Sequence, residues 1–160
     1  MLKLYKKTEL GLLYWETWDV DSKASVVHWG KVGETGDNKD IKSTKSVDHH
    51  KIIQAEINKY RTDGYSEIDD DDHIILIIEY RIKEMGTSKD LNKRHKLEDR
   101  MNETLGWTGL GHCDGGSSGS GTMEICCFVV DFEIAKRVIE EDLKDTAFSD
   151  YTRIYDENDG

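Results

Sequence analysis

His28-Trp29-Gly30-Lys31-Val32-Gly33-Glu34-Thr35-Gly36 is the stretch that decides how the first half of this chain folds. A Trp-Gly-basic triplet closes a segment rich in Val and Trp, residues 24–31, and glycines at 33 and 36 mark a turn directly after it. Upstream, residues 2–7 and 12–20 are two further short segments rich in Leu, Tyr, Trp and Val. Glu9-Leu10-Gly11 and residues 19–23 separate them as turns. Downstream, residues 39–43 add an edge strand. Asp48 can then cap a helix over residues 49–61. Ile53, Ile57 and Tyr60 share one face of it by their i, i+4, i+7 spacing. Gly64 falls where a left-handed C-terminal residue is expected. The pattern implies a meander of strands with one helix packed on it.

That arrangement, with its Trp-Gly-basic triplet, glycine turn, helix and following Asp63-Gly64-Tyr65, resembles a WGR domain over residues 1–68. WGR modules occur in the DNA-dependent poly(ADP-ribose) polymerases and in many bacterial proteins. In the former, the matching Trp and the basic residue after it help engage the end of a broken DNA strand. The resemblance therefore implies a binding module and nominates Trp29, Gly30 and Lys31 as ligand-binding residues. An exposed indole can stack on a sugar or base, and a neighbouring cation can meet a phosphate. The family's Arg is replaced here by Lys31, which keeps the charge and loses the planar bidentate fork. On residue grounds alone, Trp29 can equally plug the small core, with Gly30 permitting close approach of the chain. Arg61 and Lys59, at the end of the helix, either extend a basic patch or complement the helix dipole.

The second half reads differently. Asp69-Asp70-Asp71-Asp72 is the best boundary, because four like charges repel one another and suit a solvated linker. A calcium loop would need alternating oxygen ligands, a central glycine and a distal Glu, which this run lacks. Beyond it, residues 73–83 hold the continuous apolar run Ile74-Ile75-Leu76-Ile77-Ile78, expected as a strand buried on both faces. Thr87-Ser88 can cap a helix to about residue 105, with Leu97, Met101 and Leu105 on one face and Gly106 ending it. A short strand over residues 110–113 precedes a glycine-serine loop, residues 114–121. A second buried strand follows over residues 122–130, then a helix capped by Asp131 with Ala135, Val138, Ile139 and Leu143 on one face. Last comes a polar strand over residues 151–155.

The order β-α-β-β-α-β is that of the ferredoxin-like split unit, in which the first and third strands are central. Those are the two most apolar strands here. The expected class is thus α+β: a small antiparallel sheet with one helix (residues 1–68), an acidic linker (69–72) and a ferredoxin-like domain (73–160).

Charge divides with the domains. The chain carries a net −11. Residues 1–68 hold eleven Lys/Arg and eleven Asp/Glu, so the whole excess lies in residues 69–160. Nucleic-acid binders gain affinity by neutralising phosphates, so the second half does not fit that role; its acidity either serves solubility or attracts a basic partner. No apolar run reaches the roughly 18 residues of a membrane span, and no signal peptide is apparent. Three cysteines, Cys113, Cys126 and Cys127, are an odd number and fit a reducing compartment, the cytoplasm by default.

Other motifs fall short of a reaction. The loop at 115–121 has no Lys and leads into a strand, unlike a P-loop. His112-Cys113 finds no further ligand pair, and His49-His50 should diverge by about 100° on a helix. No metal, cofactor or catalytic residue is therefore assigned, and a small enzyme using a ferredoxin-like cleft has no motif behind it. Two functions lead. One is a non-enzymatic binding protein that takes nucleic acid through Trp29, Gly30, Lys31 and Arg61. The other is an acidic inhibitor or immunity-type protein that neutralises a basic partner through Glu98, Asp99, Glu103, Glu140, Glu141 and Asp142. Oligomeric state is not set by the sequence.

Overall fold

The computed structural model describes residues 1–159, which form two compact units, the first ending at Asp69 and the second beginning at Asp70. Together they hold two four-stranded antiparallel sheets and three α-helices, an α+β composition.

In the first unit, strands β1 (Leu2–Thr8), β2 (Gly11–Asp21), β3 (Ala24–Lys31) and β4 (Asp37–Lys42) pair in chain order as a meander. Each turn lies where a Gly- or Asp-containing stretch interrupts the apolar segments. Helix α1 (His49–Thr62) begins at Asp48, whose carboxylate accepts from the His50 backbone N–H at 2.8 Å. Ile53, Ile57 and Tyr60 turn inward onto Leu4, Trp15 and Val27, with Leu2, Trp29, Ile41 and Tyr65 around them. Trp15 is fully buried and stacks on Tyr60 with ring centroids 5.0 Å apart, whereas Trp18, on the other face of β2, is half-buried. Burying each large apolar side chain of this kind contributes about 1.5–3 kcal/mol. Past the helix, Gly64 takes φ +101° and the chain returns to β1, where Tyr5 and Ser66 exchange backbone hydrogen bonds.

In the second unit the aspartate run is not an open linker throughout. Asp70–Asp72 form a 3₁₀ turn leading into β5 (Ile74–Arg81). Helix α2 (Ser88–Trp107) starts with a complete capping box between Thr87 and Asp90. It runs past Gly106, contrary to expectation, and stops at Thr108. The left-handed residue that turns the chain away is Gly109, at φ +67°. The glycine-serine segment is also not a loop. Residues Gly111–Gly119 form strand β6, bulged between Cys113 and Gly116, which pairs with β7 (Thr122–Val129) through the two-residue turn Ser120-Gly121. Backbone hydrogen bonding does not need side chains, and a Cβ at Gly116 would come within 2.3 Å of the Glu124 carbonyl oxygen.

Helix α3 (Phe132–Leu143), capped by Asp131, and strand β8 (Arg153–Asp156) complete the unit. The sheet order is β6-β7-β5-β8, so the two most apolar strands are central and the two polar ones are edges. Leu76, Ile78 and Tyr80 of β5 stand opposite Cys127, Ile125 and Met123 of β7, and all six are buried. Helix α2 packs against β6 and β7, and α3 against α2 and β8. Burial on both faces holds for residues 76–78 of β5 only. Strand β7 alternates, with Glu124, Cys126 and Phe128 half-buried.

Candidate functional site

The residues nominated by the Trp-Gly-basic triplet sit at the end of β3. Side chains two apart on a strand share a face, so Val27, Trp29 and Lys31 look toward α1. Lys39, opposite Val27 on β4, stands diagonally across from Trp29 on the same face. The indole is half-buried in the α1-facing cluster, and the Lys39 ammonium lies over it at 5.8 Å from the ring centroid. Lys39 also pairs with Glu56 at 3.4 Å. Lys31 is exposed, its stem passing over Gly11. Trp29 is thus both a packing residue and an aromatic edge, with Lys39 over its ring and Lys31 two residues further along the same strand face.

Gly30 has a separate structural reason. A Cβ there would meet the Gly36 Cα at 2.9 Å and the Tyr14 hydroxyl at 3.1 Å. Gly36 itself, at φ +66°, has no room for a side chain, since a Cβ would fall 2.1 Å from the Trp29 carbonyl oxygen. The turn of residues 33–36 folds back onto the sheet through this close approach. Arg61 is exposed at the end of α1 and pairs with Glu67 at 3.7 Å. The neighbouring open cleft, about 480 Å³, is lined by Lys59, Tyr60, Thr62 and Asp63.

The opposite face of the same sheet holds a polar network that the sequence pattern did not disclose. Glu16 is opposite His28 in the β2–β3 register, and His28 Nδ1 lies 2.8 Å from Glu16 Oε1. His28 Nε2 faces the Thr35 carbonyl at 2.5 Å and the Tyr14 hydroxyl at 3.1 Å. Tyr14 donates toward the Glu34 and Thr35 carbonyls at 2.9 and 3.0 Å. Burial, and then the Glu16 charge, push the Tyr14 phenol well above its usual range, so it stays a neutral donor. The network anchors the turn that follows Trp-Gly-Lys. Its signal in sequence was the alternation Tyr14, Glu16, Trp18, but only the register places His28 beside Glu16.

A second unanticipated group lies where β2 ends and α1 begins. Asp19, His49 and His50 present ligand atoms all within 4.8 Å of one another. The expected divergence of the two histidines does not occur. Their ring centroids are 3.9 Å apart, because rotamers at the first helical turn bring adjacent side chains together. The hydrogen bond to Asp19, and less strongly its charge, raises the His50 pKa. Hydrogen bonds from Ser25 and then His50 lower that of Asp19.

In the second unit, half of the acidic residues nominated for a basic partner are engaged within the fold. Asp142 receives Arg100 at 2.8 Å and Thr104 at 3.1 Å, joining α3 to α2. Glu98 pairs with Arg94 and Glu103 accepts from the Trp107 indole. Asp99, Glu140 and Glu141 are exposed. Cys127 is buried opposite Cys113 in the β6–β7 register, and His95 is exposed on α2.

No protein-family model, curated protein or solved structure matches the chain. Among the described residues, no helix is long and apolar enough to cross a membrane.

Proposed function

We propose that this chain is a non-enzymatic binding protein whose first unit is a WGR-like module engaging nucleic acid, followed by a ferredoxin-like second unit. The observation that carries the ligand is the grouping of Trp29, Lys31 and Lys39 on one face of the β3–β4 edge. A half-buried aromatic edge with Lys39 over it and Lys31 on the same strand face offers stacking to a terminal base or sugar and charge to its phosphates. The meander with a single packed helix is the architecture such a module has. The order β6-β7-β5-β8 is the order a ferredoxin-like unit has. Three free thiols fit a reducing, cytoplasmic setting.

Titration with a 5′-phosphorylated DNA duplex at low salt, read by tryptophan fluorescence, tests this. Saturable binding is expected, with a salt slope of about −2 on a log–log plot for two neutralised phosphates. The double charge reversal Lys31→Glu, Lys39→Glu should weaken binding at least about tenfold at low salt while leaving the core intact. Trp29→Ala should weaken it too, but needs a check on folding because the indole packs in the core. No saturable binding at low salt sinks the nucleic-acid reading. It then favours the second one, a basic protein partner for the exposed Asp99, Glu140 and Glu141 of the acidic unit.

A further inference from the structure

We propose that Asp19, His49 and His50 form a binding site for a divalent transition-metal ion of the zinc type. The site is independent of any nucleic-acid role of the first unit.

His50 Nε2 lies 3.2 Å from Asp19 Oδ2, and His49 Nε2 lies 3.8 Å from Asp19 Oδ1. A tetrahedral ion with bonds of about 2.0–2.1 Å to nitrogen and oxygen holds its ligand atoms about 3.3 Å apart. Three donor atoms already within 4.8 Å of one another would need to close by at most about 1.5 Å to reach that separation.

His49 is fully buried, and its Nε2 has no hydrogen-bond partner. Its other nitrogen is engaged, with Nδ1 2.8 Å from Ser43 Oγ. The Ser43 hydroxyl also accepts from the His49 backbone N–H at 2.9 Å, which fixes it in place. With two lone pairs it can accept from Nδ1–H as well. That tautomer leaves a bare lone pair on Nε2, which lies 3.8 Å from Asp19 Oδ1. Two acceptors facing each other are stabilised by a cation between them.

Metal-ligating histidines commonly donate their second N–H to a carboxylate or another acceptor, which selects the coordinating nitrogen. His50 Nδ1 lies 3.1 Å from Asp48 Oδ1, a carboxylate held by its role as helix cap. Ser25 donates to Asp19 Oδ1 at 2.5 Å. Every proposed ligand therefore has an orienting partner. The positive end of α1 opposes a cation here by about half an elementary charge. Two carboxylates, Asp19 and Asp48, more than offset it. Two imidazoles select zinc-type ions over calcium or magnesium, which take oxygen donors. Three protein ligands leave a fourth position open toward solvent, since Asp19 and His50 are exposed.

The experiment uses the full chain without a histidine tag, stripped with chelator and titrated with Zn²⁺ by calorimetry. Co²⁺ is titrated in parallel and read by visible absorption. One equivalent of Zn²⁺ should bind and raise the melting temperature, whereas Mg²⁺ should not. Co²⁺ should give the intense bands of a low-coordinate nitrogen–oxygen site. His50→Ala and Asp19→Asn alter exposed side chains and should each lower Zn²⁺ affinity at least about tenfold, with Ser43→Ala costing about tenfold through its outer partner. His95→Ala, on the other unit, should change nothing. Absence of one-equivalent binding at micromolar Zn²⁺ would overturn the proposal. So would binding that His50→Ala and Asp19→Asn leave unaltered.

Discussion

Glu16 is 4% exposed and His28 is fully buried, yet both are ionisable and lie 2.8 Å apart. Such a pair is a weak net source of stability, because desolvation cancels most of the attraction. Removing one partner is another matter, since it leaves the other buried without compensation. Glu16→Ala should cost about 3–5 kcal/mol in urea unfolding. Glu16→Gln, which keeps an acceptor for His28 Nδ1, should cost clearly less. Equal losses for the two variants would show that packing, not the hydrogen bond, is what Glu16 supplies. The exposed Asp19–His50 pair behaves differently, through pH. His50 has a raised folded pKa, so its contribution is complete below its unfolded value, about 6.5, and fades as pH rises through the folded value. Asp19 has a lowered one, so its contribution is complete above about 3.9 and fades as pH falls through the folded value. In chelator, the stability difference between the native chain and Asp19→Asn should therefore peak between about pH 4 and 6.5. A difference that is flat across pH 3–9 would contradict the pairing.

At the scale of elements, the β6–β7 hairpin shows how little side-chain information a strand can carry. Its turn residues Ser120 and Gly121 both have positive φ, 52° and 86°. This is the two-residue turn whose twist matches that of the flanking strands, and it favours Asn-Gly. The hairpin tip is pinned from outside, with the Gly121 N–H donating to Glu84 and the Ile82 N–H to Gly121. Ser120→Asn relieves the left-handed strain of a serine and should stabilise the chain by about 0.5–1 kcal/mol. A lower melting temperature for that variant would mean that the Ser120 hydroxyl matters more than its backbone. Helix ends follow simpler rules. Asp48, Thr87 and Asp131 all accept from backbone N–H groups of the first turn, as their positions before apolar-periodic runs implied.

Over the whole molecule, charge and apolarity are partitioned together. The acidic excess lies in the half whose central strands are the most apolar, and the neutral half carries the aromatic edge with its lysines. The features legible in the amino acids alone are those that depend on near neighbours in the chain. Helices α1 and α3, the meander, and the central place of β5 and β7 follow from periodicity and capping, which are local. The glycine-serine strand and the end of α2 depart from the sequence pattern for the converse reason. Gly111–Gly119 is a strand only because β7 lies beside it, and Gly106 stays helical because the left-handed turn comes three residues later. Both polar clusters of the first unit belong to the tertiary structure alone. Glu16 and His28 meet through the register of two strands, and Asp19 meets His49 and His50 across 30 residues of chain. A side chain's partners at that separation are decided by how the backbone pairs and packs, and no pattern along the sequence encodes them.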